Sequence, residues 1–117
     1  MTLALTELER KRCDKALADF MARRRPPPHL RDQLDLGFRM EGQCIEIFEI
    51  RPDWKDDSVR HESPVAKATF VRTQGLWKVF WMRADLKWHG YQPKAEVNTL
   101  KEFLGAFDRD EHGCFFG

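Results

Sequence analysis

The chain predicts an α+β fold: an antiparallel four- or five-stranded sheet built from two hairpins, with an N-terminal and a C-terminal helix. Three observations lead there. Apolar residues recur at helical spacing after Thr6 and stop at Pro26-Pro27-Pro28, the period switches to two from Leu34, and a helical stripe returns at Leu100. Strands grouped together, with helices only outside the group, are the pattern of an antiparallel sheet covered on one face.

Thr6 and Glu9 have the spacing of a capping box, which satisfies backbone donors at a helix start. Leu8, Cys13, Ala16, Leu17, Phe20 and Met21 then form the inward stripe, while Arg10, Lys11, Asp14 and Lys15 face water. The three prolines end the helix, because proline has no N–H and restricts the residue before it. The helix is therefore placed over residues 7–24.

The first hairpin is placed over residues 34–51. Leu34, Leu36, Phe38 and Met40 alternate with Asp35, Gly37 and Arg39, and the run from Cys44 to Ile50 continues to Pro52. Taking Glu41-Gly42 as the two central turn residues puts Phe38 opposite Ile45 and Leu36 opposite Ile47. Residues 53–63 have no sustained period and read as an exposed loop in which Trp54 packs down. The second hairpin is placed over residues 65–91, with its turn at Gln74-Gly75. That register puts Arg72 opposite Trp77, Phe70 opposite Val79 and Ala68 opposite Trp81. Small Ala66 and Ala68 beside large Trp81 predict a helix pressed against their face. Thr99 and Glu102 make a second capping box, opening a helix over 100–108 that turns Leu100, Phe103, Leu104 and Phe107 inward. The tail, 110–117, ends in Phe115 and Phe116, two residues large enough to predict that it docks on the domain.

With 117 residues the chain predicts one domain over 1–117 with a sizeable core, and 42% hydrophobic residues exclude bulk disorder. A net charge of +1 excludes a protein held on nucleic acid by charge alone. The charge is unevenly spread: residues 1–31 carry eight Lys or Arg against four Asp or Glu, and residues 95–117 carry two against five. Cys13, Cys44 and Cys114 are an odd set without paired spacing, which fits a reducing cytoplasm and not a secreted disulfide framework. No apolar run reaches membrane-spanning length, so no membrane partner is expected.

The segments RRRPPPHLRDQLDLGFRMEGQ, FEIRPDW, VAKATFVRTQGLWKVFWMRADLKWHGY and DEHGCFFG together resemble a bacterial family, domain of unknown function 3024. The resemblance covers nearly the whole chain. It implies a small stand-alone bacterial protein, and it implies no reaction, cofactor or partner.

The residues themselves point to a non-enzymatic binding or regulatory module. Arg51, Trp54, Arg72, Trp77, Arg83, Asp85, Lys87, Trp88 and His89 mix rings with charges, chiefly along the second hairpin. Base stacking on aromatics, with Arg and Lys on phosphates, is how single-stranded nucleic acid is held without reading its sequence. A protein partner is the other class such a surface suits. Arg23-Arg24-Arg25 would extend the surface. Against this, the tryptophans would serve equally as core, with Arg83 paired to Asp85 or Glu49. The enzymatic alternative is a metal-dependent nuclease using Asp53, Asp85 and Lys87, since two carboxylates can hold a divalent ion while a lysine steadies the attacking water. It lacks the crossover helix such a core needs. A structural subunit of a larger assembly is the third class. His112 and Cys114 are too close and too solitary for a structural zinc site, so no metal ligand, catalytic residue or cofactor is assigned.

Overall fold

A computed structural model describes residues 5–109. In chain order these form α1 (Glu7–Arg24), a 3-10 turn (Pro28–Leu30), β1 (Asp35–Glu41), β2 (Cys44–Pro52) and β3 (Arg60–Val71). They continue with β4 (Leu76–Met82), β5 (Trp88–Gly90), a 3-10 turn (Gln92–Lys94), β6 (Glu96–Val97) and α2 (Leu100–Arg109). The protein is thus α+β, with an antiparallel sheet in the order β1-β2-β3-β4-β5 and β6 also on β4. The two short strands share one edge of β4, β5 along Phe80–Met82 and β6 along Trp77–Lys78. The expected docking of Phe115 and Phe116 lies outside the described residues.

The capping box at α1 is present: the Glu9 N–H donates to Thr6 Oγ1 at 3.2 Å and the Thr6 N–H to Glu9 Oε1 at 2.8 Å. Cys13, Leu17, Phe20 and Met21 face inward, whereas Leu8, expected in that stripe, is 59% exposed. Five residues back from Cys13 is about 140° around a helix of 3.6 residues per turn, so the stripe misses Leu8. Leu5, just before the cap, is buried at that end.

Both hairpins pair two residues away from the expected register. Gly42 and Gln43 form the first turn, with Glu41 opposite Cys44, Met40 opposite Ile45 and Phe38 opposite Ile47. Gly42 sits at φ +59°, which a two-residue hairpin turn demands at its first central position. The second turn is longer: Val71 pairs with Leu76, Phe70 with Trp77, Ala68 with Val79 and Ala66 with Trp81. Its last residue, Gly75, takes φ +65° and donates to Val71 O at 2.8 Å. A slip of two leaves every side chain on its expected face, because the strand period is two.

The segment 53–63, expected as loop, is loop only as far as Val59; residues from Arg60 pair with the end of β2. Arg60, His61, Glu62 and Ser63 are all exposed, so neither face is buried here and no apolar alternation marks the segment as strand. Trp54, expected to pack down, is 86% exposed. The Asp53 carboxylate accepts from the Lys55 and Asp56 N–H groups at 3.0 and 3.2 Å, and Asp53 N donates to Val59 O at 2.8 Å. The loop therefore closes on its own backbone and holds Trp54 off the core.

One face of the sheet carries Ile45, Ile47, Ala66, Ala68, Trp77 and Val79, all buried. Both helices lie on it, with α2 reaching β3, β4 and β6 and α1 reaching β1 and α2. Phe20 and Phe107 meet edge to face, with centroids 5.7 Å apart. The proline connector is closed by Arg25, the α1 cap residue, which donates from Nε and Nη2 to both oxygens of Asp35 at 2.7 and 2.6 Å. Asp35 is the one buried charged residue among those described, and its carboxylate also accepts from the Leu36 N–H. The Arg25 guanidinium holds its carboxyl below the usual aspartate range.

Truncating Phe20, which is fully buried, to alanine should cost about 3–5 kcal/mol in denaturant unfolding. A variant as stable as the parent would remove α1 from the core. Asp35→Asn should cost about 1–3 kcal/mol at pH 7, because it breaks a charge-assisted pair and leaves Arg25 unmatched. The sign in pH follows from the lowered folded-state value. The ionised pair contributes fully above the unfolded aspartate value of about 3.9, and its contribution is lost as pH falls through the folded value. The stability gap between parent and Asp35→Asn should therefore narrow below about pH 4, and a pH-independent gap would contradict the pairing.

Candidate binding face

Strand alternation divides the sheet into a face that holds both helices and a face that, among the described residues, holds neither. On the free face, β1 and β2 are closed by their own side chains. The Phe48 ring lies across Gly37, where an added Cβ would come within 2.7 Å of it. The Arg39 guanidinium covers that ring from 4.5 Å and is itself paired with Glu62. Phe48 is consequently only 6% exposed despite facing away from the helices.

The other half of this face is more open. Lys67 pairs with Phe80 across β3 and β4, and Met82 pairs with Trp88 across β4 and β5. The Lys67 ammonium stands 5.0 Å from the Phe80 ring and 4.9 Å from the Trp88 ring, so both π-faces share one cation. Phe80 lies opposite Gly90, which contributes no side chain to cover it. Thr69, Lys78 and Cys44 share this surface, with Cys44 Sγ 3.4 Å from Thr69 Oγ1, and two carboxylates lie on it as well, Glu46 opposite Lys67 and Glu96 opposite Lys78.

The residues expected to form a single site fall into three places. Arg72 and Trp77 belong to the opposite face: Trp77 is buried against Phe70, and Arg72 donates to Glu9 at 2.7 Å while covering the Phe70 ring at 5.4 Å. Arg51 pairs with Glu49 at 2.9 Å near the tip of the first long hairpin, where Trp54 stands exposed under Lys55. Arg83, Asp85, Lys87, Trp88 and His89 come together at the β4–β5 turn. There, alternation sends Trp88 to the open face and His89 to the helix side, beside Trp81. Arg83 stacks 5.4 Å from the Trp81 ring and does not pair with Asp85 or Glu49.

Asp53 and Asp85 are held at different turns. Each carboxylate has a histidine of its own: Asp53 with His61 and Asp85 with His89, both at 2.9 Å. The histidine hydrogen bond is the main cause holding each carboxyl below its ordinary range. Each carboxylate is already partnered within its own turn, and among the described residues no group of three or more His, Cys, Asp or Glu is placed to hold a metal ion.

Lys67 and Phe80, the centre of the open face, were not among the sequence candidates. The signal was present: alternation across the second hairpin puts residues 67, 69, 78, 80 and 82 on one face. What alternation alone does not show is that β5 folds Trp88 back onto that side.

The β4–β5 turn is also strained. Leu86 sits at φ +62° and is 80% exposed. The Leu86 N–H donates to Arg83 O at 2.8 Å and Arg83 N–H to Lys87 O at 3.2 Å, a three-residue loop whose last position normally takes glycine. A leucine there meets the Cβ clash of left-handed backbone and gains little burial in return. Leu86→Gly should stabilise the protein by about 1 kcal/mol, seen as a melting temperature a few degrees higher. A lower melting temperature would mean the side chain makes a stabilising contact.

Comparison with known proteins adds one finding. A family model described as a domain of unknown function, DUF3024, matches residues 5–117. No curated protein matches the chain, and no solved structure does. The match extends over both hairpins, both helices and the Lys67–Phe80–Trp88 face alike, and the chain belongs to the DUF3024 family.

Proposed function

We propose that this protein is a non-enzymatic binding module, and that its ligand surface is the helix-free half of the sheet around Lys67, Phe80 and Trp88. The observation that supports this most is the single ammonium shared by two ring faces on the side that neither described helix covers. A flat π-system can stack where Lys67 now lies, while the displaced ammonium and Lys78 reach an anionic group. Single-stranded nucleic acid combines both features in a repeating chain. The tryptophan-rich second hairpin remains the binding element, but Arg72 and Trp77 support it from behind and do not touch the ligand. In keeping with the three unpaired-spacing cysteines, we place the protein in a bacterial cytoplasm; no helix among the described residues is long and apolar enough to cross a membrane.

A second reading has its own observation. Trp54 and Leu86 stand 86% and 80% exposed in loops at the same end of the sheet. Exposed large apolar groups are typical anchors for a protein partner.

Titration with short single-stranded oligonucleotides separates the readings. Binding should quench tryptophan fluorescence, weaken as salt rises, and need no Mg²⁺. Lys67→Ala should weaken binding about tenfold or less, the effect of one lost ion contact. Trp54→Ala should leave it unchanged. Binding insensitive to Lys67→Ala would move the site elsewhere. Mg²⁺-dependent cleavage abolished by Asp85→Asn would instead restore the nuclease alternative. No binding at low salt, with loss of a protein complex on Trp54→Ala or Leu86→Ala, would favour the partner reading.

A further inference from the structure

The helix-covered side of the molecule holds a second candidate site, separate from the open face. Between the start of α1, the end of the β3–β4 hairpin and the start of α2 lies a pocket of about 330 Å³. Its walls are apolar: Leu5, Cys13, Ala16, Phe70, Trp77 and Leu100. The volume falls at the lower end of the range found for small-molecule sites, about 300–1,000 Å³. Aromatic walls with a few polar groups at the rim are the usual composition of such sites.

The rim decides the class of ligand. Glu9, Arg12 and Thr99 supply its polar groups. The Glu9 carboxylate is committed twice, to the Arg72 guanidinium at 2.7 Å and to the Thr6 N–H at 2.8 Å, which together hold it down to about pKa 2. It therefore stays ionised, and its charge is matched by Arg72. Arg12, one turn along α1, makes no hydrogen bond or ion pair among the described residues. Two guanidinium groups against one carboxylate leave the rim with an excess positive charge. The wall thiol does not offset it, because burial pushes the Cys13 value up and keeps it neutral.

We infer that this pocket binds a small amphipathic carboxylate, with its hydrocarbon or aromatic part against Phe70 and Trp77 and its carboxylate on Arg12. A guanidinium presents two parallel N–H donors that match a carboxylate, so one free arginine above an apolar wall selects an acid over the corresponding alcohol. The occupant is a single medium-sized chain or ring, the size that a volume of about 330 Å³ admits.

Decanoate and decanol, below their aggregation limits, test the assignment. Decanoate should bind about tenfold more tightly than decanol by calorimetry, and each should raise the melting temperature in proportion to its affinity. Arg12→Gln, an exposed substitution, should erase that preference and leave decanol binding unchanged. Ala16→Leu should fill the cavity and abolish binding of both. Equal binding of acid and alcohol by the parent would overturn the carboxylate assignment, and no binding of either, or binding of both that survives Ala16→Leu, would overturn the pocket. Decanoate binding that is lost as the protein dimerises with rising concentration would overturn it too, by showing that a second copy covers this face. None of these outcomes depends on whether the Lys67 face binds oligonucleotides.

Discussion

Two alanines at the centre of the sheet set the arrangement of everything above it. Ala66 and Ala68 on β3 are both fully buried, between Ile45 and Ile47 on one side and Val79 and Trp81 on the other. A methyl group at these positions leaves depth for large side chains from above; α2 lies over β3 with Phe103 and Phe107 fully buried, and Phe20 of α1 packs edge to face on Phe107 in the same core. Close packing of this kind makes the face intolerant of rearrangement, since any void forfeits contacts on all sides. With both helices drawn to that face, the other is left without a helix. The free face is therefore a consequence of how the core is packed.

Two different physical solutions then operate on that free face. Over β1 and β2, Phe48 is protected by removing a side chain beneath it at Gly37 and by laying Arg39 above it. That ring is spent on structure. Over β3 to β5, Lys67 covers Phe80 and Trp88 only in part, through an interaction between rings and a hydrated ammonium. Such a contact is weak at an exposed site, about 0.5–1 kcal/mol, so a stacking ligand can displace it. The bulge between Ile47 and Phe48, beside Pro64, marks the change from one regime to the other. Proline has no N–H for the ladder, and the extra residue lets both Val65 and Ala66 enter the core.

Local polar chemistry shapes the ends of the sheet where the core does not reach. Aspartates organise both turns there, each with one histidine and with backbone N–H groups from its own loop. These contacts keep Trp54 and Leu86 presented to solvent instead of folded inward. Leu86 does so in a backbone conformation that glycine would occupy at lower cost. Backbone strain held at an exposed loop is a common mark of a site under a constraint other than stability.

The sequence alone determined the fold class, both helices with their capping threonines, the two hairpins and, for the residues it read as strand in β1 to β4, the face on which each lies. Capping boxes, proline stops and period-two alternation are local signals, and the two-residue slips in pairing left the faces unchanged because a strand repeats every two residues. The same locality explains the failures. Approximate helical spacing puts Leu8 in the α1 stripe although its angle from Cys13 excludes it, and residues 60–63, all exposed, carry no alternation because their hairpin projects beyond the core. Trp54 was assigned to the core by hydrophobicity, while its own loop closed through Asp53. Only the tertiary structure decided which charged and aromatic residues share a surface. It split the expected Arg and Trp set among three places, gave Arg72 to Glu9, and brought Lys67 to Phe80 and Trp88. Those pairings join residues far apart in the chain, and they are set by strand order and by the face the helices occupy.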